Sequence, residues 1–255
     1  MPAYNEQDRI VKTLENFRKT IIKKYKHDIE ILIVSESIDH TNDMVLKYAF
    51  RHKQVRLLAS RKRAGKGKAL IKGFAVACSA NKWDIIGFTD ADLSVSGDEV
   101  MRLIEKLRKD KSIDGVISSR YVKGSKIVGK QKLSRYIASR LYNLMLKALF
   151  NFKYNDTQCG AKFFRSSALC SILRPLSLTD MSFDLDLLYE MRLHGYNVVE
   201  MPVTYNMIYE GSKLRLKRHV PQMFIVALNY RIEHSAFNRL MPRRLKVFVY
   251  NLIKG

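Results

Sequence analysis

Apolar residues recur at helical spacing over Asp8–Lys26, with Ile10, Val11, Leu14, Phe17 and Ile21 on one face, and give way to the β-branched run Ile29–Ser35. The alternation then repeats. Helical spacing over Thr41–His52, Lys68–Ala80 and Gly97–Lys109 is interleaved with buried-type strands at Val55–Ala59, Asp84–Phe88 and Gly115–Ser119. Strands alternating with helices predict an α/β fold, a mainly parallel, Rossmann-like sheet with helices on both faces. The opening Met1-Pro2-Ala3-Tyr4-Asn5-Glu6 reads as turn chemistry running straight into a helix. In a doubly wound sheet such a loop follows a strand, so the pattern predicts a first strand missing ahead of Met1.

Past Lys132 the pattern changes. Lys132–Phe150 predicts a long amphipathic helix with Leu133, Ile137, Leu141, Leu144 and Ala148 on one stripe. Cys159–Phe164 reads as a strand, Ser182–His194 as a helix, Val198–Tyr209 as a strand broken by Pro202, and Pro221–Ser235 as a helix. The expected organisation is one domain over residues 1–209 and a basic, amphipathic tail over 210–255.

Charge sharpens the picture of the tail. The chain carries 46 Lys and Arg against 24 Asp and Glu, a formal charge of +22, which calls for an anionic partner. From Gly211 to Gly255 ten bases face a single acid, Glu233, among residues such as Phe224, Ile225, Leu228, Phe237, Val247 and Phe248. Bases mixed with apolar residues suit an anionic bilayer interface better than a DNA groove. No helix-turn-helix, zinc-finger or RNP pattern is present, so nucleic acid is not the expected partner and a basic nucleic-acid-binding protein is a remote alternative. No run reaches the ~18 apolar residues of a membrane span, and no secretory signal pattern opens the chain. The three cysteines form no CxxC pair, so neither a disulfide nor a thiolate zinc site is expected, and a reducing compartment fits.

Candidate chemistry centres on Thr89-Asp90-Ala91-Asp92, directly after an apolar strand. Ligands of open α/β sheets bind beyond the carboxyl ends of strands. Two carboxylates one residue apart suit a hard cation whose shell is completed by water and substrate phosphates, so Asp90 and Asp92 are candidate ligands for Mg²⁺ or Mn²⁺ on a nucleotide diphosphate. The competing reading is a helix N-cap, a role for which Asp98 also stands nearby. Upstream, Arg61-Lys62-Arg63-Ala64-Gly65-Lys66-Gly67-Lys68 leads into a helix, where a helix N-terminus and Lys66 favour an anion. The spacing is not that of a P-loop, and a solvated basic turn is the alternative.

Several segments, in order, resemble the family-two inverting glycosyltransferases of the GT-A fold: Pro2-Ala3-Tyr4-Asn5-Glu6, Ser37-Ile38-Asp39-His40-Thr41, Gly65-Lys66-Gly67, Asp90-Ala91-Asp92 and Ser119-Arg120-Tyr121. The stretches Asp156-Thr157-Gln158-Cys159-Gly160-Ala161-Lys162, Phe183-Asp184-Leu185-Asp186 and Glu210-Gly211-Ser212-Lys213-Leu214 are similar to the dolichyl-phosphate glucosyltransferase branch. Arg120-Tyr121-Val122-Lys123-Gly124 also resembles dolichol-phosphate mannose synthases. The resemblance implies a nucleotide pocket of Pro2, Ala3, Tyr4, Glu6, Asp39, Lys66 and Asp90, and a metal on Asp90 and Asp92. It implies that Arg120, Arg140 and Lys213 hold an acceptor phosphate, and that Asp92, Arg120, Arg140, Asp156 and Asp184 form the catalytic set. Ser35-Glu36 departs from the family's Asp-rich segment, Ser94 from a Gln, and Asp186 from a Glu.

The implied reaction moves a hexose from a nucleotide sugar, UDP-glucose or GDP-mannose, to a polyprenyl or dolichyl phosphate, with inversion. A phosphate monoester with its second pKa near ~6 is already a nucleophile at neutral pH, so it needs positioning and charge neutralisation more than a base. The implied location is the cytoplasmic face of a membrane, peripherally bound. A glycan or lipid hydroxyl acceptor is the alternative. It would need a carboxylate base, for which Asp184 or Asp186 is placed.

Overall fold

The computed structural model describes residues 1–60, 62–178, 180, 182–208 and 216–235, the side chains of 27 and 216–219 aside. These fall into two compact units, one within 1–130 and 155–211, the other within 131–154 and 212–255.

The first unit opens on β1 (Pro2–Ala3), then α1 (Ile10–Phe17). A π-helical turn (Arg18–Ile22), α2 (Lys23–Tyr25) and a 3₁₀ turn (Lys26–Asp28) extend α1, so one predicted helix changes pitch along its length. The αβ alternation then follows the sequence pattern: β2 (Ile31–Ser35), α3 (Thr41–Arg51), β3 (Val55–Ala59), α4 (Lys66–Ser79), β4 (Ile85–Thr89), α5 (Gly97–Lys109) and β5 (Gly115–Ser119). β1, β2 and β3 form a parallel sheet. Pro2 and Ala3, read above as turn residues, lie in strand register opposite Val34 and Ser35. They form the two-residue strand β1.

A second sheet has the order β4-β7-β5-β8, with β7 (Ala161–Arg165) antiparallel to both neighbours and β8 (Val198–Pro202) parallel to β5. The antiparallel insertion was not legible in the pattern. The helix between β5 and β7 (Leu133–Phe150) falls in the second unit, and nothing local fixes β7's direction. Between them lies β6 (Lys126–Val128), which pairs with β9 (Thr204–Asn206). Pro202 ends β8, and the predicted long strand divides there. Helices α7 (Ser166–Ser171) and α8 (Phe183–Leu193) complete the unit. α8 begins as predicted and is buried nearly all round, down to Asp184 and Asp186.

In the second unit α6 (Leu133–Phe150) packs on α9 (Leu216–Glu233) through Tyr142 against Phe224, 5.4 Å between ring centroids, and Phe150 against Tyr230 at 6.1 Å. Tyr142, Asn143, Leu146 and Phe150 are the buried positions. The leucine stripe picked out by periodicity lies outside: Leu133 is 70% exposed, Leu141 54% and Leu144 63%. Among the described residues no helix is long and apolar enough to cross a membrane.

The cysteine expectation is corrected. Cys78 at the end of α4 and Cys170 in α7 form a disulfide, with Cα atoms 5.7 Å apart. They are 92 residues apart in sequence, and only the packing of α4 on α7 brings them together, so no local spacing announces the pair. Cys159 stays a free, buried thiol, and burial pushes its pKa up to about 12.

Candidate active site

The carboxyl ends of β1 and β2 carry two loops stitched to each other. Asn5 N donates to Ser37 Oγ (2.8 Å), Glu6 N to Thr41 Oγ1 (2.8 Å), and Ile38 N to the Asn5 side chain (3.0 Å). Asn5 takes φ +54°, a left-handed turn that Asn tolerates. Asp39 accepts from Thr41 N at 3.0 Å and Gln7 N at 3.4 Å. Burial raises its carboxyl's pKa, but these bonds outweigh it and hold the carboxyl below its ordinary range. Of the pocket residues expected here, Glu6 also pairs with Arg9, and the Tyr4 ring lies under the Arg63 guanidinium at 4.0 Å. Pro2, Ala3, Tyr4, Glu6 and Asp39 therefore belong to one interlinked rim.

The basic loop ahead of α4 is tied to the end of β2. Glu36, buried at the end of β2, accepts from Ala64 N (2.7 Å) and Gly65 N (3.0 Å) through one oxygen. Its other oxygen lies 3.6 Å from Lys72 Nζ. Glu36 thus takes the N–H groups of Ala64 and Gly65, just ahead of the helix. It also explains why the chain carries a glutamate where the resemblance calls for an aspartate pair: the longer arm reaches the next loop. Gly65 adopts φ +98°, which turns the chain so that Lys66 faces Asp90, Nζ to Oδ1 2.8 Å.

At the end of β4, Asp90 and Asp92 are not capping residues. Ser96 takes the N-cap of α5, accepting from Glu99 N. Asp92 Oδ1 accepts from Ser94 N at 2.9 Å in a tight turn through Leu93 at φ +62°. The turn is tied down from below by Thr13 Oγ1 donating to Ala91 O (2.8 Å) and by Asp90 N donating to Gly160 O (2.9 Å). Burial and the neighbouring Asp90 charge push the Asp92 carboxyl's pKa upward. Burial opposes charge on Lys66 too, but Asp90, Asp184 and Asp92 outweigh it and hold the ammonium's pKa above its usual range. The direct contact of the ammonium is with Asp90.

Asp184, at the start of α8, is buried against Lys162, whose ammonium also donates to Cys159 O at 2.9 Å. Lys66 and Lys162 approach the same ring, Phe88, at 5.5 and 5.3 Å. Asp186, two residues on, accepts from Ser177 N (2.6 Å) and Leu178 N (2.8 Å) and holds that loop. The fold therefore draws Lys66, Asp90, Asp92 and Asp184 into one charge network at the carboxyl ends of the strands.

Arg120 and Asp156 meet each other. The Arg120 guanidinium donates to both Asp156 oxygens, Nε at 2.6 Å and Nη2 at 2.8 Å, and Arg120 N adds a third bond at 3.0 Å. Both are buried, with the guanidinium 5.2 and 5.1 Å from the Tyr121 and Tyr205 rings. Burial works against both charges, but the pairing prevails: it raises the pKa of Arg120 and lowers that of Asp156. The loop is further held by Glu200, which accepts from Asn155 N (2.7 Å) and Asp156 N (2.8 Å). This pair fixes the loop that ends at Gly160 beneath Asp90. Arg140 stands half-buried on α6 of the second unit, and Lys213 lies outside the described residues.

Glu36, Gly160 and Lys162 stand in segments quoted above without a role of their own, and Glu200 was not singled out. A lysine inside an otherwise apolar strand was the one available signal, and it points to a buried counter-ion. At Gly160 a Cβ would come 2.2 Å from Asp90 Oδ2. Gly160→Ala is expected to lower turnover at least ~100-fold by displacing Asp90, with a smaller effect on thermal stability, checked by initial rates beside a melting curve.

Residues 1–173 match the profile of glycosyl transferase family 2. The chain belongs to that family. It is 29% identical over 226 residues to a dolichyl-phosphate beta-glucosyltransferase of Trichomonas vaginalis, covering 85% of this chain and 65% of that protein. A dolichyl-phosphate beta-glucosyltransferase of Dictyostelium discoideum is likewise 29% identical over 84% of this chain and 67% of its own length. The human dolichyl-phosphate beta-glucosyltransferase is 25% identical over 84% and 68%. The chain spans about two thirds of the length of these relatives. The fold also matches glucosyl-3-phosphoglycerate synthase of Mycobacterium tuberculosis in complex with UDP, at TM-score 0.66 and 18% identity over 92% of this chain and 79% of that one. The same enzyme with Mn²⁺, UDP and phosphoglyceric acid gives TM-score 0.63 and 18% identity over 90% and 76%. The chain has the GT-A glycosyltransferase fold.

Proposed function

We propose that the chain is an inverting hexosyltransferase that moves glucose from UDP-glucose to a polyprenyl phosphate of the dolichyl type. The carrying observation is the Lys66–Asp90–Asp92–Asp184 network at the carboxyl ends of the strands, taken with relatives named for that activity.

A divalent cation fits the residues present. Asp92 and Asp90 repel each other, Lys66 answers only the Asp90 side directly, and among the described residues no third His, Cys, Asp or Glu completes a protein-only metal cluster. That donor set suits Mg²⁺ or Mn²⁺ held by Asp90 and Asp92 with donor phosphates in the remaining positions. When bound, such an ion would stabilise the negative charge of the departing nucleoside diphosphate. Lys66 holds Asp90 in place and adds positive charge beside the leaving group. The loops of Tyr4–Gln7 and Ser37–Thr41 would bound the nucleotide. A phosphate acceptor attacks without a strong general base, consistent with the buried pairing of Asp184 to Lys162 and the engagement of Asp186 with backbone. That engagement also weighs against the hydroxyl-acceptor alternative.

Arg120 takes a positioning role in this reading, through Asp156 and the Gly160 loop. Arg140 and Lys213 carry the proposal for the acceptor phosphate. The exposed stripe of Leu133, Ile137, Leu141 and Leu144 on α6 supports a peripheral membrane contact broader than the C-terminal tail.

A donor panel tests the reading. With a polyprenyl phosphate in detergent or vesicles and Mn²⁺ or Mg²⁺, UDP-glucose should give a β-linked lipid product and GDP-mannose little or none. Turnover onto oligosaccharide hydroxyls but not onto the lipid phosphate would contradict it.

A further inference from the structure

Lys162 stands in β7 between Ala161 and Phe163, opposite Phe88 on one neighbouring strand and Ile117 on the other, and is fully buried. A lysine in such a place keeps its charge only beside a counter-ion. That counter-ion is Asp184 at the start of α8, whose Oδ1 accepts from Lys162 Nζ, while the same ammonium donates to Cys159 O at 2.9 Å. Lys66 approaches the same Phe88 ring as Lys162, and the Asp184 charge is among those that keep Lys66 charged. Asp184 thus belongs at once to a buried ion pair and to the charge network around Asp90. It is the carboxylate of that network outside the Asp90–Asp92 pair, and so the group placed to take a proton from an acceptor hydroxyl.

We propose that Lys162 selects the acceptor class: by pairing with Asp184 it withholds that carboxylate from proton transfer, so the site turns over an acceptor that arrives as an anion and rejects water and sugar hydroxyls. This role presupposes the transfer to a lipid phosphate proposed above. Attack by a hydroxyl forms a bond from its oxygen to C1 of the hexose and breaks the bond from C1 to the diphosphate oxygen. The electron pair of the broken bond leaves with the nucleoside diphosphate, and the hydroxyl proton must be taken up by a base. Were Asp184 to take it, the carboxylate would become neutral and Lys162 would remain as a buried ammonium without its partner. Breaking a buried pair in that way is strongly unfavourable. A phosphate monoester, largely dianionic at neutral pH, has no proton to lose from its attacking oxygen. With such an acceptor the Lys162–Asp184 pair stays intact throughout. The same pairing guards the donor, because a free base at Asp184 would let water consume it.

The test follows UDP-glucose consumption with Mn²⁺ at mildly alkaline pH in three settings: water alone, methyl glucoside as a hydroxyl acceptor, and a polyprenyl phosphate in detergent. The parent chain is expected to turn over only with the lipid phosphate. Lys162→Met should raise hydrolysis and transfer to methyl glucoside at least ~10-fold above the parent, and adding Asp184→Asn should abolish that gain. A lysine of merely structural importance would lower all three rates together. Should Lys162→Met fail to fold, Lys162→Gln, which can still donate to Asp184 but carries no charge, must show the same gain, or the proposal fails. A folded variant without the gain, or a gain that survives Asp184→Asn, overturns the role of Lys162 while the parent's lipid-phosphate turnover still stands. A parent chain that glucosylates methyl glucoside but not the lipid phosphate overturns both readings.

Discussion

Asp92→Asn is expected to cost at least ~10³-fold in sugar transfer while the melting temperature stays within ~2 °C of the parent chain. The two halves of this expectation come from different features of one carboxylate. In the fold Asp92 accepts from Ser94 N, and an amide oxygen accepts that bond equally well. Its charge is unfavourable in the protein alone, because burial and Asp90 both push its pKa upward. Removing the charge relieves repulsion, so stability should hold or rise slightly. The charge is costly to the folded chain and would be repaid only by a cation shared with the donor pyrophosphate. Initial rates and a melting curve on the same preparation decide the matter. A variant that loses stability along with activity would make Asp92 a folding residue instead.

The second large effect falls on stability. Arg120→Met is expected to cost roughly 3–5 kcal/mol, since it leaves the buried Asp156 carboxylate without its two-pronged partner. For a chain of this size that lowers Tm by ~10 °C. Turnover should fall as well, because the Asn155–Gly160 loop supports Asp90 through the bond to Gly160 O. The double variant Arg120→Met with Asp156→Leu should recover much of the lost stability, as buried ion pairs exchanged for apolar residues often do. Chemical denaturation of the single and double variants measures both. An Arg120→Met chain of unchanged stability whose KM for the lipid phosphate alone rises would put Arg120 on the acceptor.

Much of the fold was legible because β2, β3, β4 and β5 are short apolar runs between amphipathic helices, and such elements are specified locally. β7 was placed from its composition, but its antiparallel direction depends on which strands it meets. The π turn at Arg18–Ile22 follows no period that a sequence window detects. On α6 the periodicity found the stripe of Leu133 and Leu141, but burial follows Tyr142, Leu146 and Phe150, whose partners stand some 80 residues away on α9. Asp90 and Asp92 were visible because the strand before them fixes where they point. Glu36 and Lys162 were not, because each acts on a loop or helix far along the chain, Ala64–Gly65 and Asp184. The disulfide between Cys78 and Cys170 was hidden for the same reason.

Calorimetric titration of UDP-glucose into the parent chain, in Mn²⁺ and again in excess EDTA, reads the central claim without any acceptor or membrane. Binding in Mn²⁺ should weaken by at least ~100-fold on chelation, and Asp92→Asn should bind as weakly with Mn²⁺ as the parent does without it. Equal affinity with and without the metal, or undiminished Mn²⁺-dependent binding by Asp92→Asn, would contradict a cation shared between these carboxylates and the donor.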